Sequence, residues 1–69
     1  MPLIYASIGE ENIVKKVVGD QSFKKHLEDM GFSAGSRVTV ISMTSGNLIV
    51  RIRETRLAIS RETAQKIII

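Results

Sequence analysis

Apolar and polar residues alternate most regularly in "LIVRIR", where Leu48, Val50 and Ile52 fall on one face and Ile49, Arg51 and Arg53 on the other. A period of two is that of a half-buried strand. "SRVTVISM" is equally rich in branched residues, but its apolar set changes sides: Val38 and Val40 share one face, Ile41 and Met43 the other. A bulge or bend inside this strand is expected to switch the inward set. "NIVKKVV" reads as an earlier strand over residues 12–18, with Lys15 and Lys16 turned to solvent or to an edge.

Between these strands the period lengthens. Phe23, Leu27 and Met30 stand at i, i+4 and i+7, one stripe of a helix over Gln21 to Met30, and the opposite face is charged. Lys24 with Glu28 and Lys25 with Asp29 are spaced for weak pairing, and Asp20 or Ser22 can cap the start. Gly31 stands where a helix C′ residue turns left-handed, a conformation that costs a residue without Cβ nothing sterically. Phe32 then folds back as an apolar lid, and "SAGS" offers a type II turn with Gly35 at its positive-φ position.

In the second half, a two-residue loop at Glu54 and Thr55 pairs Arg53 with Arg56, Ile52 with Leu57, Arg51 with Ala58 and Val50 with Ile59. Apolar pairs then share one face. Ser60 caps a short turn through "RETAQK", with Ala64 small enough to press on the barrel, and the three closing isoleucines pair as a last strand against the first. The expected fold is mainly β with one or two short helices, a single domain over residues 1–69. Isoleucine, valine and leucine must supply its core, because aromatics are only 4% of the chain.

Composition narrows the function. The chain has no cysteine, which excludes disulfides and thiolate metal sites, and a single histidine, His26. Without a nucleophile constellation or a phosphate loop among its glycines, no enzyme and no cofactor are expected. His26, Asp29 and Met30 share a helix face, but Met30 belongs to the core stripe and no second histidine exists, so no metal site is assigned. The start lacks a signal-peptide pattern and no apolar run is long enough to span a membrane, which leaves the cytoplasm as the expected compartment.

The formal charge is +3, and the arginines carry the informative part of it. Arg51, Arg53 and Arg56 point outward from one hairpin, and like charges opposite each other in a sheet repel. Either an internal carboxylate such as Glu54, Glu28 or Asp29 compensates them, or an acidic patch on a docking partner does. Lys24 and Lys25 form a second candidate contact, and a barrel so small leaves room for a groove beside the helix.

The run "KKHLEDMGFSAGSRVTV" together with "NLIVRIRETRLAISRETAQKIII" resembles the FeoA (ferrous iron transport protein A) family, whose pattern L-x-x-[LM]-G-[LF]-x-x-G-x-x-[VI]-x-[VI] is matched by Leu27, Met30, Gly31, Phe32, Gly35, Val38 and Val40. The resemblance implies an SH3-like barrel, a cytoplasmic setting and an accessory role toward FeoB, a membrane transporter of ferrous iron with a cytosolic GTP-binding domain. It supplies no catalytic residues. Two other readings fit a small basic barrel: a nucleic-acid-binding module, and a free-standing relative of the C-terminal domain of metal-dependent repressors.

Overall fold

The computed structural model describes all 69 residues. A 3-10 turn at Leu3–Tyr5 leads into β1 (Glu11–Ile13) and β2 (Lys16–Val17), followed by α1 (Gln21–Asp29). The meander β3 (Arg37–Met43), β4 (Asn47–Ile52) and β5 (Thr55–Ser60) comes next, and α2 (Arg61–Gln65) precedes β6 (Ile67–Ile68). Four strands form an antiparallel sheet in the order β1-β3-β4-β5, and β2 pairs with β6 in a second, two-stranded sheet. No helix is long and apolar enough to cross a membrane.

The single strand expected over residues 12–18 is split because it changes partners. Val14 exchanges hydrogen bonds with the turn before β3, its N–H reaching Ser36 O at 2.8 Å and its C=O accepting from Gly35 N at 2.7 Å. One residue on, Lys15 N donates instead to Ile68 O at 2.7 Å. Val14 is buried at this pivot, which draws the extended run into the core between the two sheets. Of the three closing isoleucines, Ile67 and Ile68 pair with this run, through Val17↔Ile67 and Lys16↔Ile68 with a bridge from Pro2 to Ile68 beside them, whereas Ile69 N donates to Met1 O at 2.7 Å.

Helix α1 starts and stops where its sequence directs. The Asp20 carboxylate accepts from Phe23 N at 2.8 Å, satisfying one of the free amides of the first turn. At the other end Gly31 has φ +107 and its N–H donates to Glu28 O, while Phe32 N reaches back to Leu27 O at 2.9 Å. That reversal drops Phe32 into the core, where it is fully buried with Leu27, and Phe23 and Met30 pack at its margin. Gly19 is needed on two counts: its φ is +136, and a Cβ there would stand 2.8 Å from Phe23 Cδ2, too close for the ring to remain. The outer side of that ring is covered by Lys66, whose Nζ lies 4.9 Å from its centroid.

The switch in β3 sits at Ile41. Val40 pairs with Val50 but Ser42 pairs with Ile49, so Ile41 is the extra residue of a bulge. Val38 and Val40 face inward before it, Met43 packs against the core after it, and Ile41 itself joins the outer face. The β4–β5 hairpin turns one residue earlier than the sequence suggests, on Arg53 and Glu54, so Ile52 pairs with Thr55, Arg51 with Arg56, Val50 with Leu57, Ile49 with Ala58 and Leu48 with Ile59. The two registers differ by two residues, so alternation cannot choose between them. The expected one would set buried Leu48 opposite Arg61. The observed one gives it Ile59 and leaves Ser60 free to cap α2, accepting from Thr63 N at 3.1 Å. Arg53 takes the left-handed conformation the tight turn requires, with φ +57.

Candidate functional site

The strand register builds a basic concavity on the outer face of the four-stranded sheet. Glu11, Thr39, Arg51 and Arg56 form one row, each paired with the next across β1, β3, β4 and β5. Arg37 lies two residues before Thr39 on the same face of β3, opposite the turn that carries Arg53. The Arg53 side chain lies against the Gly31 corner, its Nε 3.8 Å from where a Cβ on that glycine would stand. Together with Ile41 these residues line a hollow of about 480 Å³.

Its electrostatics are one-sided. Four guanidinium groups face a single carboxylate, so the hollow holds a surplus equal to the +3 of the whole chain, and the six other Lys and Arg are matched by six Asp and Glu elsewhere. The one ion pair joins Arg37 Nε to Glu11 Oε1 at 3.9 Å, and both side chains are more than half exposed. None of Glu54, Glu28 and Asp29 lies within ion-pair distance of an arginine, so the internal compensation weighed from sequence is not made. The lysine pairings expected along α1 are not made either.

Arg51, Arg53 and Arg56 are thus brought together, with Arg51 and Arg56 as direct cross-strand partners rather than Arg53 and Arg56. Arg37 is the arginine that sequence reasoning missed, and Glu11, Thr39 and Ile41 were not singled out as site residues either. The signal for Arg37 was available: extending the β3–β4 register beyond Val38↔Ile52 sets position 37 opposite position 53, but only once the strand pairing is known. Lys24 and Lys25 stand on α1, outside the hollow, with Lys25 exposed and Lys24 half-buried. The concavity lies on the sheet, not beside the helix as anticipated. His26 is exposed, and no three His, Asp or Glu side chains converge.

A planar guanidinium presents its donors as a fork that matches a carboxylate or phosphate in two parallel hydrogen bonds. Arg51, Arg53 and Arg56, exposed and without an internal partner, leave such forks free toward solvent on one side of the sheet. Thr39 adds a hydroxyl at the centre of the row, and Ile41 is the hollow's one apolar member.

The FeoA domain family matches residues 1–69. The chain belongs to the FeoA family. A relative from Methanocaldococcus jannaschii, provisionally named Fe(2+) transport protein A, is 37% identical over 68 residues, spanning 99% of this chain and 83% of that protein. Among solved structures, the crystal structure of an iron uptake regulatory protein, FeoA, superposes with a TM-score of 0.89 at 24% identity, covering 97% of this chain and 91% of the other. The FeoA of Stenotrophomonas maltophilia, solved with zinc and described as a procaryotic SH3 domain protein, gives a TM-score of 0.85 at 20% identity, covering 99% and 87%. The fold of this FeoA chain is therefore the small SH3-like barrel expected from its sequence.

Proposed function

We propose that this FeoA domain is a noncatalytic accessory of ferrous iron transport that docks on the cytosolic, GTP-binding part of a FeoB-type transporter. Family membership and the name of the archaeal relative support the transport setting. The observation that carries the docking reading is the arginine hollow, where Arg51, Arg53 and Arg56 have no carboxylate of their own chain within ion-pair distance. A cluster that repels itself is costly to keep unless an acidic surface completes it. Lys24 and Lys25 on α1 are a secondary contact in this reading.

The action is differential binding. A domain of this kind changes transport by preferring one conformation of its partner, since equal affinity for both would shift nothing. A nucleic-acid partner is the weaker reading, because neither Tyr5, Phe23 nor Phe32 lines the hollow and bases would find no ring to stack on.

The test is a titration of the isotope-labelled domain with the cytosolic portion of FeoB. Shifts should centre on Arg37, Arg51, Arg53 and Arg56, and replacing Arg51, Arg53 and Arg56 together with Ser should weaken binding at least about tenfold, which is about 1.4 kcal/mol. Unchanged affinity in the triple variant removes the arginine face from the interface; no shift anywhere with the unaltered domain removes the docking reading.

A further inference from the structure

β5 ends the four-stranded sheet and has β4 as its one neighbour. In an antiparallel ladder alternate residues turn their N–H and C=O toward the same partner. The two-residue turn makes Ile52 and Thr55 a hydrogen-bonded pair, and two further bonds agree with that phase: Arg61 N donates to Gly46 O, and Thr44 N donates to Asn47 O on the β3 side of β4. Thr55, Leu57 and Ile59 therefore bond to β4, while the N–H and C=O of Arg56 and Ala58 point away from it. No other backbone or side-chain hydrogen bond of the chain reaches them. Both residues are exposed, and both present their side chains to the arginine-lined face.

An open strand edge is a template for another strand, and charged residues on it commonly serve to discourage self-pairing. Arg56 does that here: antiparallel pairing of β5 with β5 of a second copy would bring two arginine clusters together. The same charge invites the opposite sign. A residue paired with Arg56 or Ala58 on an added strand would project its side chain onto the outer face, directly beside Arg56 and two strand spacings, about 10 Å, from Arg51. Ala58 ends at Cβ and leaves room for a long neighbour.

The geometry points to strand addition: an extended acidic segment of the partner continues the antiparallel sheet along β5, pairing through Arg56 and Ala58, and lays alternate carboxylates over Arg51, Arg53 and Arg56. The sheet edge supplies main-chain hydrogen bonds and the hollow supplies the charge preference. The site thereby takes a β-strand of acidic, alternating sequence rather than any anionic surface. The identity of the partner rests on the docking reading above; the recognition mode does not.

The probe is an acetylated, amidated octapeptide alternating threonine and glutamate, titrated into the labelled domain. Amide hydrogen exchange at Arg56 and Ala58 should slow at least about tenfold on saturation. N-methylation of every glutamate, which removes the N–H groups facing β5, should weaken binding at least about tenfold, whereas N-methylation of every threonine should change it by less than about threefold. Equal effects of the two modifications, or no binding at millimolar peptide, overturn strand addition. The same exchange measurement is then made with the FeoB cytosolic portion. Arginine-dependent binding without protection at Arg56 and Ala58 removes strand addition from the complex and keeps docking. Absence of FeoB binding alongside the expected peptide behaviour removes the FeoB reading and keeps the edge site.

Discussion

If the arginine hollow is kept for a partner, removing one of its charges should make the isolated domain more stable. Arg56→Gln is the cleanest perturbation, because glutamine keeps part of the aliphatic stem and is neutral. Arg56 and Arg51 are direct cross-strand partners in a pair that does not exchange hydrogen bonds, the closer of the two antiparallel spacings. Like charges so placed cost roughly 0.2–1 kcal/mol, and Coulomb's law in water at about 7 Å gives about 0.6 kcal/mol for one such pair. Glu11 relieves Arg37 and not Arg56, so most of that cost remains in the native state. For a domain of this size 1 kcal/mol moves Tm by about 4–8 °C, so the variant should melt roughly 2–5 °C higher. The gain should be largest near 0.01 M salt, where the screening length is about 30 Å, and nearly vanish at about 1 M, where it is about 3 Å. Circular dichroism melts of both proteins at the two salt concentrations measure this directly. A variant that melts lower at low salt, or a gain indifferent to salt, would refute the claim that the cluster is electrostatically strained.

Two further outcomes test the packing. Gly19→Ala should lose roughly 1–3 kcal/mol by denaturant titration, since φ is +136 there and the new Cβ meets Phe23 at 2.8 Å, whereas Gly46→Ala, with open space around it, should stay within about 0.5 kcal/mol. Phe32→Ala removes the largest fully buried side chain at a cost of about 3–5 kcal/mol; against a total near 0.05–0.15 kcal/mol per residue, that should leave a substantial unfolded fraction at body temperature, read by loss of dispersed amide resonances.

Much of the architecture was legible because local chemistry and burial agree. The stripe of Phe23, Leu27 and Met30, the Asp20 cap and the Gly31 reversal are all encoded within a few residues, and β4 alternates without interruption. What escaped depends on partners far away in sequence. Residues 12–18 look like one strand because nothing in "NIVKKVV" marks the transfer from Ser36 to Ile68. The hairpin register was ambiguous because a shift of two preserves every inward position, and only the mate of Leu48 distinguishes the alternatives. The hollow was half legible: Arg51, Arg53 and Arg56 are close in sequence, but Arg37 joins them through the β3–β4 ladder.

The handover at Val14 also bears on how the molecule comes apart. One extended run borders both sheets, so peeling it from β3 slackens its grip on β6, and the reverse holds as well. A barrel stitched in this way lacks a seam along which half could open while the rest persists, and the protons of both ladders should exchange with solvent at one shared free energy, that of complete unfolding.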